Sequence, residues 1–170
     1  MTFDPRLICS ALDEAEVRFV LIGGFAAAIH GSPLPTSAVD IVPARDDENL
    51  ERLARALVHL HARLRTETGP VDVRIDAGFL RAMPFILNLT TDYGDVDLTF
   101  SPAGRLDGFD GWDAGAVEAE IGPGLVVRIA ALGDIIDSKR AAGRPKDEHA
   151  LPYLESLRDE IMKQGKDRGL

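Results

Sequence analysis

Three aspartates in strand-like surroundings carry the chemical possibilities of this chain. Asp40 lies inside the apolar run "AVDIV", and Asp95 and Asp97 alternate in "GDVDLTF". Side chains two apart on a strand share a face, so Asp95 and Asp97 point the same way, and Ala38 shares the face of Asp40. If the two strands are neighbours, Asp40, Asp95 and Asp97 converge. Converging carboxylates repel unless a cation stands between them. Hard oxygen ligands favour Mg²⁺ or Mn²⁺ and, through the ion, phosphate substrates. Plainer readings stand beside this one. Asp95 follows Tyr93-Gly94 and suits a solvated turn, and Asp40 suits a strand end paired with an arginine.

Two further features bear on phosphate. Gly23-Gly24 follows the apolar run "VRFVLI" and precedes "FAAAIHG". A helix opening there would offer free N–H groups and the positive end of its dipole to an anion. The pair is neither a Walker A loop nor the G-x-G-x-x-G fingerprint, and it equally suits a tight turn that only glycine allows. The segment "SKRAAGRPK", Ser138 to Lys146, is basic against a net charge of −9 from 19 basic and 28 acidic residues. Lys139 and Lys146 there suit phosphate groups, and they suit equally the negative end of a helix dipole.

The remaining reactive side chains have structural readings. Cys9 lies on an apolar stripe and suits packing; as the single cysteine it excludes an internal disulfide and a cysteine metal site. His30 suits either a helix terminus or catalysis. His59 and His61, two apart on a helix, do not share a face and form no metal pair. His149 suits solvent, and Trp112 suits packing beneath a loop. No Ser–His–Asp or Cys–His spacing is present.

These residues need elements to position them. Pro5 and the spacing of Leu7, Ile8, Ala11, Leu12 and Ala15 predict a first amphipathic helix. Val17 to Ile22 reads as a strand, "FAAAIHG" as a short helix stopped by Gly31, "SPLPTS" as a loop and "VDIVPA" as a second strand. Acids at the start of "DDENLERLARALVHLHARL", with Leu50, Leu53, Leu57 and Leu60 in a stripe, predict a helix over that whole segment. "GPVDVRIDAGFLRAM" holds a short edge strand and a helical turn. "FILNLTT" and "DVDLTF" around "DYG", and "AVEAEI" and "LVVRIA" around "GPG", read as two hairpins. "LGDIIDSKRAAG" is a helix capped by Gly143, and a last helix opens at Pro145, with Pro152 expected to kink or split it and Lys166 to Leu170 to fray. The sum is a small mixed sheet flanked by helices, α/β or α+β, in one domain over residues 1–170 with a helical part at about 131–165. No apolar run approaches the roughly 20 residues of a membrane span. The N-terminus lacks a basic n-region, so a cytoplasmic address is expected.

Taken together, "VLIGGFAAAIHGSPLPTSAVDIVPARDDENLERLARAL", "YGDVDLTF" and "ALGDIIDSKRAAGRPKD" resemble the minimal nucleotidyltransferases of the DNA polymerase β-like superfamily, the AbiEii/MNT-type group above all. The resemblance covers most of the chain, from about Val17 to Leu157. It implies the nucleotidyltransferase fold, a nucleoside triphosphate substrate, Mg²⁺ (or Mn²⁺), and transfer of a nucleotide to a hydroxyl acceptor that could be RNA, a small molecule or a protein. It implies that Gly23 and Gly24 clamp phosphates, that Asp40 and Asp97 are catalytic acids, and that Asp40, Asp97 and the adjacent Asp95 hold metal. Lys139 and Lys146, with Arg140 and Arg144, match the basic signature. One position departs from the pattern: the first acid of the expected Asp-x-Asp pair is Ala38, while Thr36 keeps its place. A methyl group cannot ligate metal. The alternative is therefore a catalytically degenerate protein that binds a nucleotide or a cognate partner, as in a toxin–antitoxin pair.

Overall fold

The Asp4 carboxylate accepts a hydrogen bond from the Leu7 N–H at 3.1 Å and caps the first helix, α1 (Pro5–Glu14), with Pro5 in the opening turn where a missing N–H costs nothing. This is seen in a computed structural model, which describes residues 2–167. The chain continues through β1 (Phe19–Ile22), α2 (Gly23–His30), β2 (Ala38–Pro43), α3 (Asp47–His59), β3 (Arg63–Thr66), β4 (Gly69–Val71) and α4 (Ala77–Ala82). It then forms β5 (Ile86–Thr91), β6 (Gly94–Thr99), α5 (Gly108–Ala114), β7 (Val117–Gly122), β8 (Leu125–Ile129), α6 (Leu132–Ala142) and α7 (Pro145–Asp167). The mixed α/β class is as expected, and the sheet is larger than expected, with eight strands in the order β4-β3-β5-β6-β2-β1-β8-β7.

The pairs β1–β8 and β2–β6 are parallel, and the other neighbours are antiparallel. Alternation is clean in the central strands. Val39, Ile41, Val96 and Leu98 are fully buried, so the intervening Ala38, Asp40, Asp95 and Asp97 face the other way. The stripe Leu50, Leu53 and Leu57 on α3 is fully buried as well. Each such side chain contributes roughly 1.5–3 kcal/mol. A one-residue slip of β2 or β6 would turn an aspartate into this apolar layer, so the buried face fixes the register of the acids.

Asn49 fastens the beginning of α3 to the strands. Its Oδ1 accepts from the Arg18 N–H at 2.7 Å, and its Nδ2 donates to the carbonyls of Arg18 at 3.0 Å and Ala44 at 2.7 Å. This buried amide is fully satisfied, as a polar group in the interior must be. His30 plays a comparable role: its Nε2–H donates to the Ala130 carbonyl at 2.8 Å, tying the end of α2 to the start of α6. Gly31 closes α2 in the left-handed region at φ 119°.

Three local expectations differ from the structure. The helix expected to run to Leu64 ends at His59, and Arg63–Thr66 forms β3 beside β5. No Gly or Pro marks the stop, and the leucine spacing carries on into the strand; His61 turns the chain in the left-handed region at φ 55°. Trp112, expected to pack beneath a loop, is buried as a packing residue but lies in a helix of its own, α5. Of the kink or split expected at Pro152, the split does not occur, since α7 runs from Pro145 to Asp167. Pro152 and Glu148 are both exposed, so water can satisfy the Glu148 carbonyl that the proline leaves unpaired. The fraying expected for the C-terminus falls at the edge of the described residues, and 168–170 lie outside them. Among the described residues no helix is long and apolar enough to cross a membrane.

Candidate functional site

The parallel register of β2 and β6 sets Ala38 beside Asp95 and Asp40 beside Asp97. On the other side of β2, Asp40 pairs with Ile22, the last residue of β1 before the glycines. Asp40, Asp95 and Asp97 thus meet at one end of the central strands, next to the N-terminus of α2. All three line an open cleft of about 970 Å³, together with Gly23, Gly24, Lys139, Arg144 and Lys146.

The two glycines do different work. Gly23 has φ +68°, and a β-carbon built there would lie 2.2 Å from Asp40 Oδ2. The bare backbone at Gly23 therefore makes room for the aspartate. Gly24 has ordinary backbone; its β-carbon would approach Thr36 Oγ1 at 3.1 Å, a flexible hydroxyl that donates to the Ala38 carbonyl at 3.2 Å. The tighter approach to a neighbouring side chain is thus at Gly23. No side chain caps α2, so its first N–H groups open to the cleft without intrahelical partners.

Burial raises the Asp40 carboxyl to about 7; the charge and hydrogen bond of Asp97 add to the rise, and Lys146 and Lys139 oppose it. The sign of the linkage follows. A carboxyl whose folded pKa exceeds its unfolded value favours folding most below that unfolded value, and the advantage is lost as pH rises through the folded pKa. Without divalent ions the melting temperature should fall between about pH 4 and about pH 7, and Asp40→Asn should flatten that fall. Thermal denaturation in EDTA across the range measures it; an unchanged slope in the variant would contradict the assignment.

A residue that the sequence reading did not single out completes the acidic row. Arg65 on β3 reaches across β5, donating from Nη2 to Asp97 Oδ1 at 2.7 Å and from Nη1 to the Leu89 carbonyl at 3.0 Å. Its Nη1 also lies 3.2 Å from Asp95 Oδ2. Neither plain reading of the acids survives intact: Asp95 is an ion-paired strand residue, and the arginine serves Asp95 and Asp97 rather than Asp40. The signal in the sequence was the alternation of Arg63 and Arg65 in "RLRT", hidden by the continuing helical leucine pattern.

The basic segment divides. Lys139 and Lys146 line the cleft, whereas Arg140 pairs with Glu155 and, at 3.8 Å, with Asp137 and does not line it. Lys139 Nζ lies 3.6 Å from Asp147 Oδ1, and Arg144 Nε donates to Asp147 Oδ2 at 2.7 Å. Burial pushes the fully buried Asp147 carboxyl up, but the Arg144 hydrogen bonds and charge, with Lys139, outweigh it and hold it below the usual carboxylate range. Asp147 is thus the hub that holds this segment against the cleft. His149, exposed as expected and packed near Tyr153, also lines the cleft, as does Trp112, whose buried Nε1–H has no partner among the described residues. Cys9 is fully buried, and burial pushes its thiol up to about 12, so packing is its role. His61 pairs with Asp92, outside the cleft, and neither His59 nor His61 lines it.

Among the described residues, no group of three or more His, Cys, Asp or Glu closes to metal-ligating range. Asp40 and Asp97, strand partners on one face, fit one divalent ion that would take its other ligands from substrate oxygens and water, the usual way Mg²⁺ binds. Ala38 supplies no further ligand, and Asp95 faces Arg65.

Comparison with solved structures gives the class: the chain has the nucleotidyltransferase fold. The lincosamide antibiotic adenylyltransferase LnuA, solved with lincomycin bound, matches with a TM-score of 0.59 and 14% identity over 92% of this chain and 99% of that one. ANT(2″)-Ia, solved with adenylyl-2″-tobramycin, matches with a TM-score of 0.56 and 17% identity over 94% and 95% of the two chains. A Thermotoga maritima protein described as a nucleotidyltransferase matches with a TM-score of 0.55 and 16% identity over 94% and 91%. No protein-family profile matches the chain. No curated protein matches it in sequence.

Proposed function

We propose that the cleft binds a nucleoside triphosphate with one Mg²⁺ (or Mn²⁺) and transfers its nucleotide to a hydroxyl acceptor. The observation that carries this is the register of β2 and β6, which sets Asp40 beside Asp97 at the open N-terminus of α2, in a cleft that Lys139 and Lys146 also line. The N–H groups at Gly23 and Gly24 and the two lysines address the phosphates. Asp40 and Asp97 hold the metal. When bound, that ion polarises the phosphate and favours in-line attack. In the transfer the acceptor oxygen bonds to the α-phosphorus, the bond to pyrophosphate breaks, and the hydroxyl proton passes to the carboxylate row. Trp112 and His149, which also line the cleft, are the side chains suited to meet the nucleobase or the acceptor. Since LnuA and ANT(2″)-Ia are solved with antibiotic ligands, lincomycin and tobramycin are the first small-molecule acceptors to try, with RNA and protein after them.

Trp112 is the single tryptophan and lines the cleft, so its emission reports on binding. Titration with ATP and Mg²⁺ should change that emission saturably. Lys139→Gln with Lys146→Gln should weaken the binding about tenfold at low salt and flatten its salt dependence. Equal affinity in the folded double variant at every salt concentration would assign the lysines to the surface and to Asp147 alone.

Ala38 and the engagement of Asp95 by Arg65 favour a second reading, a binding protein that has lost transfer. In this reading the AbiEii/MNT resemblance extends to a cognate protein partner. Saturable ATP binding with no pyrophosphate release, whatever the acceptor, would select it.

A further inference from the structure

We propose that Arg65 is the resident second cation of the acidic row, its guanidinium standing where another divalent ion would otherwise bridge Asp95 and Asp97. This rests on the cleft accepting a divalent ion, as argued above. The placement comes from four adjacent strands. Leu64 on β3 faces Leu89 on β5, and Asn88 on β5 faces Asp97 on β6, which faces Asp40 on β2. Continuing the antiparallel step sets Arg65 beside Asn88, in one cross-strand row with both acids. The guanidinium is then held at three points: the Leu89 carbonyl at 3.0 Å, Asp97 Oδ1 at 2.7 Å and Asp95 Oδ2 at 3.2 Å. The backbone carbonyl sets the plane of the fork, and the two carboxylates take its edges. A planar, multiply donating fork suits two acids and a carbonyl at once, whereas a lysine ammonium is a compact point charge without that fixed geometry.

The arrangement explains why the row tolerates Ala38. Asp95 is the strand partner of Ala38, so a carboxylate remains at that level of the cleft, one strand away. It is neutralised within the chain and has no need of a metal. Three carboxylates are matched in formal charge by one guanidinium and one divalent ion. A second divalent ion would have to displace Arg65 from two ion pairs and a hydrogen bond. A single ion would therefore be held by Asp40 and Asp97, and Asp95 is a positioning residue for Arg65 rather than a metal ligand.

Mn²⁺ binding without nucleotide tests this, followed by the loss of the free-ion electron paramagnetic resonance signal. The parent, Arg65→Gln and Arg65→Lys are compared in the full chain. Arg65→Gln should bind Mn²⁺ at least about tenfold more tightly than the parent, because a positive charge beside the ion is gone and two carboxylates are released. Its melting temperature in EDTA should fall, and Mn²⁺ should restore it where NaCl of equal ionic strength does not. Arg65→Lys keeps the charge but spans one carboxylate, so its Mn²⁺ affinity should lie between the other two. It also serves as the second variant should Arg65→Gln fold only with Mn²⁺, which would itself meet the expectation. Parent and Arg65→Gln binding Mn²⁺ alike would overturn the proposal, and so would Arg65→Lys matching the parent. Absence of Mn²⁺ binding in every variant would overturn it too. Trp112 emission with ATP in EDTA, read on separate metal-free aliquots of each variant, decides separately whether the cleft is a nucleotide site.

Discussion

Ala38→Asp should convert a cleft that takes divalent ions weakly into one that takes them tightly. The substitution adds a carboxylate beside Asp95 and on the same face as Asp40, at a position whose strand partner is already acidic. Arg65 is committed to Asp95 and Asp97, so the new acid lacks a counter-ion and falls next to an Asp40 already held up to about 7. In EDTA the variant should be less stable than the parent, more so at pH 8 than at pH 5.5, as like charges ionise together. Mn²⁺ or Mg²⁺ at about a hundred times its dissociation constant contributes about 2.7 kcal/mol to the folded state. At about 2–4 °C per kcal/mol for a chain of this size, that is a rise of roughly 5–10 °C, enough to carry the variant past the metal-free parent. Differential scanning fluorimetry with and without the ion, and with and without ATP, measures it. A rise of that size already present in the parent would mean that Asp40 and Asp97 suffice to hold the ion despite Ala38, and pyrophosphate release would then decide whether the chain transfers nucleotide. Failure of both to respond would select the binding-protein reading.

Gly23→Ala should be the most damaging single methyl group in the cleft. The residue sits at φ +68°, where an L side chain costs roughly 1–2 kcal/mol. The added carbon would also meet Asp40 Oδ2 at 2.2 Å and its Cγ at 2.9 Å, so the carboxylate must leave its place beside Asp97. Loss of several degrees in melting temperature and loss of the Trp112 response to ATP should go together. Gly24→Ala, against a Thr36 hydroxyl that can rotate, should be milder in both. Placing Gly23→Ala in an Asp40→Ala background removes the two shortest clashes, and the stability losses should add to less than their sum. Equal damage from the two glycine substitutions, or strict additivity with Asp40→Ala, would refute a role for Gly23 as the seat of Asp40.

The sequence by itself determined what depends on neighbours along the chain. Alternation in "AVDIV" and "GDVDLTF" put the acids on one face of each strand. The Gly23-Gly24 break, the Gly31 and Gly143 stops and the two hairpins followed from backbone freedom at fixed positions. The absence of an acid at Ala38 needed no structure at all. What the tertiary structure decided were pairings between distant segments. The parallel pairing of β2 with β6 leaves no local mark, because parallel strands are joined by long connections whose register is set by buried faces. Arg65 lies 32 residues from Asp97, on a strand that local periodicity assigned to α3. That helix ends at His59 because Arg63–Thr66 gains a partner strand in β5, a term absent from helical propensity. The same distinction separates Lys139 from Arg140: both are basic and adjacent, but only the packing of α6 against α7 turns one toward buried Asp147 and the cleft and the other toward Glu155. Composition and spacing named the acids, and the counter-ion that sets their charge came from a strand that exists only once the sheet has formed.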